Sequence, residues 1–499
     1  MSYLSGYDSE AVGFDSVNQN KRAESNSATQ TNFVESGTGC QTNFTKNTGC
    51  TTDEGSEDDI LKEYPPPGLN DFLRKVVPSM MEQLDRNDLE LLYNSSDSED
   101  EDIIVSKLFQ ELPVKIDMPG LGGGDYQASV LALSWSSAGN SLAVSVGQIQ
   151  HETWCQHDGL IRIFTVKRSE QDKLVHTLDI SEKNCITVVK YHPSVSALLA
   201  YGTTSGEVVL CNLRNSMLED GMQLSSPSGC HGSRRVSALE WANPSLANTF
   251  LTAQITKTGK RRGASDQILI SAGSDGTMNV WQVNSNLRIF ENVICYNING
   301  SKKIPSPDIT CFDFIKSCPL RPSDEKVADD IFVVGTKSGK LLLCKIKTDF
   351  VHDMVDPVYE ELEGHPTCVL NLAFSFQKPG MFASVSMDSE LRVYDVNQVC
   401  PLKVLCLDVP VSSMCWLPNN PCVVVLGLSN PEQVQLKLYN ISSGRALPID
   451  GFHGVESVCA LSISQSSATR IAAGDADGTV KIWELPARRI RLSPEDLEF

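Results

Sequence analysis

Ile268–Val283 reads ILISAGSDGTMNVWQV, and Ala472–Leu485 reads AAGDADGTVKIWEL. The two stretches share one grammar. A strand of small and apolar residues leads into an Asp-Gly turn, and an alternating strand follows that ends in tryptophan. Asp275 lies six residues before Trp281, and Asp477 six before Trp483. Alternation of period two marks a strand with one face turned inward, and an Asp-Gly pair between two such runs marks a turn.

The same unit recurs along the chain, which is the signature of a repeat architecture. Its copies run Val130–Val166, Thr187–Leu213, Val236–Val283, Ile309–Ile346, Val369–Val396, Val411–Ile441 and Ser457–Leu485. Each opens with a short alternating strand such as VLALSW, VSALEW or VSSMCW. The third and fourth copies carry long insertions. The second, fourth and sixth lack both the aspartate and the tryptophan.

The repeats resemble the WD-repeat family over roughly three quarters of the chain. His231 and His453 stand upstream, where that family places the histidine of its Gly-His pair. The fifth copy matches in part, through Gly364-His365 and Asp388. In that family a histidine, a strand hydroxyl, an aspartate and a tryptophan form a buried hydrogen-bonded chain within a blade. The resemblance gives that structural role to His231, Asp275, Trp281, His365, Asp388, His453, Asp477 and Trp483. It also implies an all-β, seven-bladed propeller, whose radial repetition leaves only short, protected sheet edges. Val114–Ile116 or Arg488–Leu492 would supply the strand that closes the ring.

The chain has 499 residues, 41% of them hydrophobic, enough for one large core with appendages. Its net charge is −20, of which −14 falls between Met1 and Leu112. That acidity argues against a nucleic-acid-binding face. The sixteen cysteines are scattered with no CxxC, and several sit in strand-like runs such as VVLCNL. They read as small apolar residues of a reduced intracellular protein. MSYLSGYDSE carries no apolar signal core, and CVVVLGL is too short to cross a bilayer.

Residues 1–59 are rich in Ser, Thr, Asn, Gly and Asp, cannot bury enough apolar surface to order, and are expected to be disordered. Residues 60–93 follow as an amphipathic helical segment. Leu69, Phe72, Leu73, Val76, Val77, Met80, Met81 and Leu84 recur at helical spacing on one face. Pro78 removes one backbone donor and should kink or split that helix. An acidic linker, residues 94–112 with SSDSEDED at Ser95–Asp102, leads to the propeller at 113–499.

No catalytic, metal or cofactor motif has credible spacing: there is no P-loop, HExxH, GxSxG or paired Cys-His pattern. HETWCQHDG (His151–Gly159) reads as a hairpin insertion, GLGGGD (Gly120–Asp125) lacks a following helix, and KTGKRRG (Lys257–Gly263) reads as a solvated loop.

The arm repeats itself. ATQT, GCQT and GCTT end at Thr31, Thr42 and Thr52, eleven and ten residues apart. An extended segment with alternating threonines suits addition as a strand to a partner's sheet edge. Thr29-Gln30-Thr31 matches the TQT core of peptides that bind the eight-kilodalton dynein light chain. Cys40-Gln41-Thr42 matches in two residues of three, and Cys50-Thr51-Thr52 departs at the glutamine. Sites in tandem along two parallel chains reinforce one another through effective concentration.

This layout of arm, helix, acidic linker and propeller resembles the dynein intermediate chains. Leu69–Leu84, Ala132–Gly147 and Ala472–Leu485 are similar to the smaller type of intermediate chain in cytoplasmic dynein 2, the retrograde motor of intraflagellar transport. The resemblance implies a non-catalytic chain without cofactors. It implies a dynein heavy chain, a second intermediate chain, and eight-kilodalton, Tctex-type and roadblock-type light chains as partners, with no nucleic acid and no membrane insertion. The roadblock dimer would sit on the helix, or that helix would cover its own propeller. The location implied is cytoplasm and cytoskeleton, with the cilium's axoneme and basal body. Another dynein's intermediate chain, or a ubiquitin-ligase substrate receptor, is the alternative; VLCNLR (Val209–Arg214) departs from the receptor pattern at Cys211-Asn212.

Overall fold

A computed structural model describes residues 71–78, 80, 104–114, 128–149, 158–167, 173–215, 223–258, 266–298, 307–316, 330–348, 354–418, 420–467, 469–486 and 490. The chain divides into two compact units, Met1–Asp85 and Arg86–Phe499. In the first, the backbone is helical at 71–78 and 80, so Pro78 lies within helical backbone. Phe72, Leu73, Val77 and Met80 are exposed and Val76 is half-buried. Leu69, Met81 and Leu84 lie outside the described residues, as do the three arm motifs and the glycine-rich stretch.

The second unit is a seven-bladed propeller of four-stranded antiparallel sheets, the third of which gains a short fifth strand, Met354–Val355, in parallel with Phe290–Asn297. Blade 1 comprises Ser129–Trp135, Ser141–Gly147, Gly159–Lys167 and Lys173–Glu182. Blade 2 comprises Ile186–Tyr191, Leu198–Thr203, Val208–Asn212 and Gln223–Ser225. Blade 3 runs Val236–Trp241, Asp266–Gly273, Thr277–Asn284 and Phe290–Asn297. Blade 4 runs Ile309–Phe314, Ile331–Thr336, Leu341–Lys345 and Val358–Leu362. Blade 5 holds Val369–Phe374, Met381–Ser386, Glu390–Asp395 and Lys403–Cys406. Blade 6 holds Val411–Trp416, Val423–Leu428, Leu436–Asn440 and Arg445–Ala446.

Blade 7 takes three strands from the C-terminal copy, Val458–Ile463, Arg470–Asp475 and Thr479–Glu484, and its outer strand from Lys107–Pro113. That strand runs antiparallel to Thr479–Glu484, with Leu112 opposite Val480. The ring therefore closes through a strand inside the stretch read as acidic linker, just ahead of Val114. Of the segments expected to close it, Val114 continues this pairing, its amide donating to the Gly478 carbonyl at 2.8 Å, while residues 115–116 and most of 488–492 lie outside the described residues. Just before it, Ile104–Val105 pairs in parallel with Ile449–Asp450 at the rim of blade 6.

Second strands such as SLAVSVG, LLAYGT, IFVVGT and VVVLGL are buried almost throughout. A strand covered on both faces by neighbouring blades must be apolar or small on both sides. Glycine at one register position lets the blades approach. A Cβ on Gly202 would lie 2.6 Å from the Val236 side chain, and on Gly474 2.2 Å from that of Val130. Val236 begins the next blade's first strand, and Val130 is the second residue of the next blade's.

The insertion of blade 3 contains a helix, Pro244–Thr258. Asn243 caps it through Oδ1, which accepts from the Leu246 N–H at 2.8 Å, and Pro244 follows where no amide hydrogen is needed. Leu246, Phe250 and Leu251 are buried in the core shared by blades 3 and 4. The basic stretch beyond Thr258 lies outside the described residues.

Candidate protein-interaction site

The first strands of all seven blades line a central channel of about 450 Å³. Hydroxyls one residue into three of them bridge to the next blade. Thr310 Oγ1 donates to the Val369 carbonyl at 2.7 Å, and Thr187 and Ser412 do the same toward Val236 and Val458. Tryptophans at the ends of three first strands reach back the other way. The Trp135, Trp241 and Trp416 indoles donate to the carbonyls of Ser462, Lys190 and Ala373, at 3.3, 3.3 and 2.8 Å. These residues were not singled out by sequence, although the recurring strand-terminal tryptophan was there to be read.

The channel's charges are paired. Lys190 Nζ meets Glu240 Oε2 at 2.9 Å. Lys316 Nζ meets Asp313 Oδ2 at 2.8 Å, an oxygen that also accepts from the Phe374 N–H. Burial raises the Asp313 carboxyl even beside Lys316. A general acid or base needs a proton path to a reacting atom. These groups are held instead by partners that tie one blade to the next.

Blade 3 brings its sequence-identified residues together. Trp281 Nε1 donates to Ser271 Oγ at 2.8 Å, and Ser271 Oγ lies 2.8 Å from His231 Nε2. His231 Nδ1 then faces Thr277 Oγ1 at 3.2 Å and Asp275 Oδ1 at 3.4 Å. Burial works to raise the Asp275 carboxyl, but its bonds with His231 and Thr277 outweigh that and hold it below the usual range.

Blade 5 keeps half of this chain. His365 Nε2 lies 2.7 Å from Ser384 Oγ. Tyr394 stands in the tryptophan's place, and its hydroxyl donates to the Glu363 carbonyl at 2.6 Å. Asp388 accepts from the Ser386 hydroxyl.

Blade 7 departs further, and here the expected arrangement is corrected. The His453 side chain is 74% exposed, with Asp450 4.0 Å away, and is not brought to Trp483. Ala473 occupies the register position of Ser271, so no hydroxyl is there to join imidazole to indole. Trp483 packs edge-on against Phe452. The buried carboxyl is Asp475, two residues ahead of Asp477, and it accepts from the amides of Thr479 and Asp477 at 2.8 and 3.1 Å. Burial raises Asp475, partly offset by the Thr479 amide and by the Gln435 side chain reaching across from blade 6.

The arrangement is built for rigidity, and what it offers outward is surface. Such a molecule is a WD-repeat β-propeller. The profile described as "WD domain, G-beta repeat" matches residues 356–395 and 449–484. A chain in the crystal structure of the mitotic checkpoint complex superposes with a TM-score of 0.50 at 12% identity, over 78% of this chain and 95% of its own length, which shows the fold alone.

Two curated relatives go further. Cytoplasmic dynein 2 intermediate chain 2 of Mus musculus is 20% identical over 385 residues, 74% of this chain and 67% of its own length. The Homo sapiens protein of the same name is 21% identical over 457 residues, 87% of this chain and 79% of its own length. The similarity to dynein 2 intermediate chains agrees with the resemblance read from the sequence. No helix among the described residues is long and apolar enough to cross a membrane.

Proposed function

We propose that this chain is a non-catalytic intermediate chain of a cytoplasmic dynein 2 motor. Its propeller binds the tail of the heavy chain. Its arm, residues 1–59, carries light chains of the eight-kilodalton and Tctex types at Thr29-Gln30-Thr31, Cys40-Gln41-Thr42 and Cys50-Thr51-Thr52. The apolar face of the helix takes a roadblock-type dimer, and a second intermediate chain completes the pair. The motor so assembled serves retrograde intraflagellar transport and cilium assembly, in the cytoplasm and at the basal body and axoneme.

The observation that carries this reading is similarity to proteins named dynein 2 intermediate chain over 74% and 87% of the chain.

The test is recovery of the tagged full-length chain from ciliated cells, with its companions identified by mass spectrometry. A dynein 2 heavy chain should copurify with the wild type and with the double variant Gln30→Ala, Gln41→Ala. The eight-kilodalton light chain should fall with that variant by about tenfold or more, as tandem weak sites require. Recovery of a ubiquitin-ligase adaptor without any dynein heavy chain would overturn the proposal.

A further inference from the structure

Blades 3 and 5 differ at the tryptophan and threonine positions of this network, and these differences open the opposite sense of hydrogen bonding to blade 5. In blade 3 the Trp281 N–H donates to Ser271 Oγ. The hydroxyl hydrogen of Ser271 is then available to His231 Nε2, and the hydrogen on His231 Nδ1 faces Asp275 and Thr277. In blade 5 the Tyr394 hydroxyl is turned to the Glu363 carbonyl. Ser384 Oγ receives no indole hydrogen, so it can accept from His365 Nε2–H at 2.7 Å. In that tautomer the lone pair of His365 is on Nδ1.

The surroundings of this nitrogen are those of a ligand. The His365 side chain is fully buried, and Nδ1 has no hydrogen-bond partner. At the register position of Thr277 stands Glu390, with Oε2 3.6 Å from Nδ1. One donor atom each from His365, Asp388 and Glu390 lie within 4.8 Å of one another. One imidazole nitrogen and two carboxylates converge there.

We propose that His365 Nδ1, Asp388 and Glu390 form a binding site for one divalent transition cation of the Mn²⁺ or Zn²⁺ class. One imidazole and two carboxylates suit borderline and hard divalent ions. Metal–ligand distances of about 2.0–2.2 Å place donors roughly 3.0–3.4 Å apart, so the widest pair closes by up to about 1.5 Å on binding.

Other contacts orient the donors. Arg392 Nε and Nη2 hold Glu390 Oε2 at 2.9 and 2.8 Å, and Arg392 Nη1 donates to the Gly364 carbonyl at 2.7 Å. The Ser386 hydroxyl fixes Asp388. The guanidinium cancels one carboxylate charge and leaves the other for the cation. Asp388 lies on an exposed turn beside Met387, so water can complete the coordination.

The experiment titrates the full-length chain with Mn²⁺, following free Mn²⁺ by electron paramagnetic resonance. Glu390→Thr is the comparison, because threonine is what blade 3 carries at that position. Asp388→Asn is the second variant. The acidic arm is the same in all three proteins and contributes a common background. Wild type should bind one Mn²⁺ more tightly than either variant by at least about tenfold. Its Co²⁺ form should absorb in the visible without a thiolate-to-cobalt band, which separates this site from the cysteines. Equal Mn²⁺ binding by wild type and both variants, or a thiolate band at the site lost in Glu390→Thr, would overturn the proposal. The inference is independent of the dynein reading and stands or falls on this titration.

Discussion

The indole of Trp281 has one hydrogen to place, and in a fully buried setting it has one acceptor to give it to, Ser271 Oγ. That serine also meets His231, so a single hydroxyl satisfies two buried groups. A buried polar group left without a partner costs about 1–3 kcal/mol. Ser271→Ala is therefore expected to lower the stability of the propeller by about that amount, read as a drop in the urea midpoint. Ser384→Ala is the control: the Tyr394 hydroxyl is satisfied elsewhere, and the loss should stay within about 1 kcal/mol. Equal losses at the two serines would show that the tryptophan does not set the difference. The spacing of aspartate to tryptophan made the blade 3 network legible. The identical spacing in blade 7 misled, because it says nothing about the hydroxyl between them. Ala473 stands there, and His453 turns outward.

At the scale of the strand, alternation and turn residues located all seven inner strands, including those of blades 2, 4 and 6 that lack the aspartate and tryptophan. Closure was harder to read. KLFQELP carries Lys107, Gln110 and Glu111 without a period-two alternation, and its outer-strand burial leaves only Leu112 fully inside. It also follows an acidic run, so composition placed it in the linker. The bridges between strands were not legible either. A threonine or serine near the start of a strand signals nothing until the next blade's carbonyl is brought to it. Thr310 shows what such a bridge contributes, since its hydroxyl serves the carbonyls of both Val369 and Gly335, at 2.7 and 3.2 Å. Thr310→Val keeps the shape of the side chain and removes both bonds. It is expected to cost about 1–2 kcal/mol in urea unfolding, with the slope of the transition unchanged. A loss within the error of the midpoint would mean that water in the channel replaces the hydroxyl.

At the scale of the whole molecule, the ring is held shut by a pairing between residues near opposite ends of the propeller unit. Lys107–Pro113 covers the edge of Thr479–Glu484, and Leu112 and Val114 enter the core shared by blades 7 and 1. Removing that strand leaves an unpaired edge and opens a cavity beside Val480 and Ile482. Two truncations separate closure from everything that precedes it. A chain starting at residue 104 keeps both the closing strand and the Ile104–Val105 pairing with Ile449–Asp450. It should unfold in one cooperative step at a midpoint close to that of the full chain. A chain starting at residue 114 should lose that single step and aggregate on heating, as blade 7 frays from its free edge. Light scattering during a thermal scan reads both outcomes. If the second truncation melted as the first does, closure by this strand would not be what holds the ring. A lowered midpoint in the first truncation alone would instead assign stabilising contacts to residues before 104, which would favour the helix face covering its own propeller over its use as a light-chain seat.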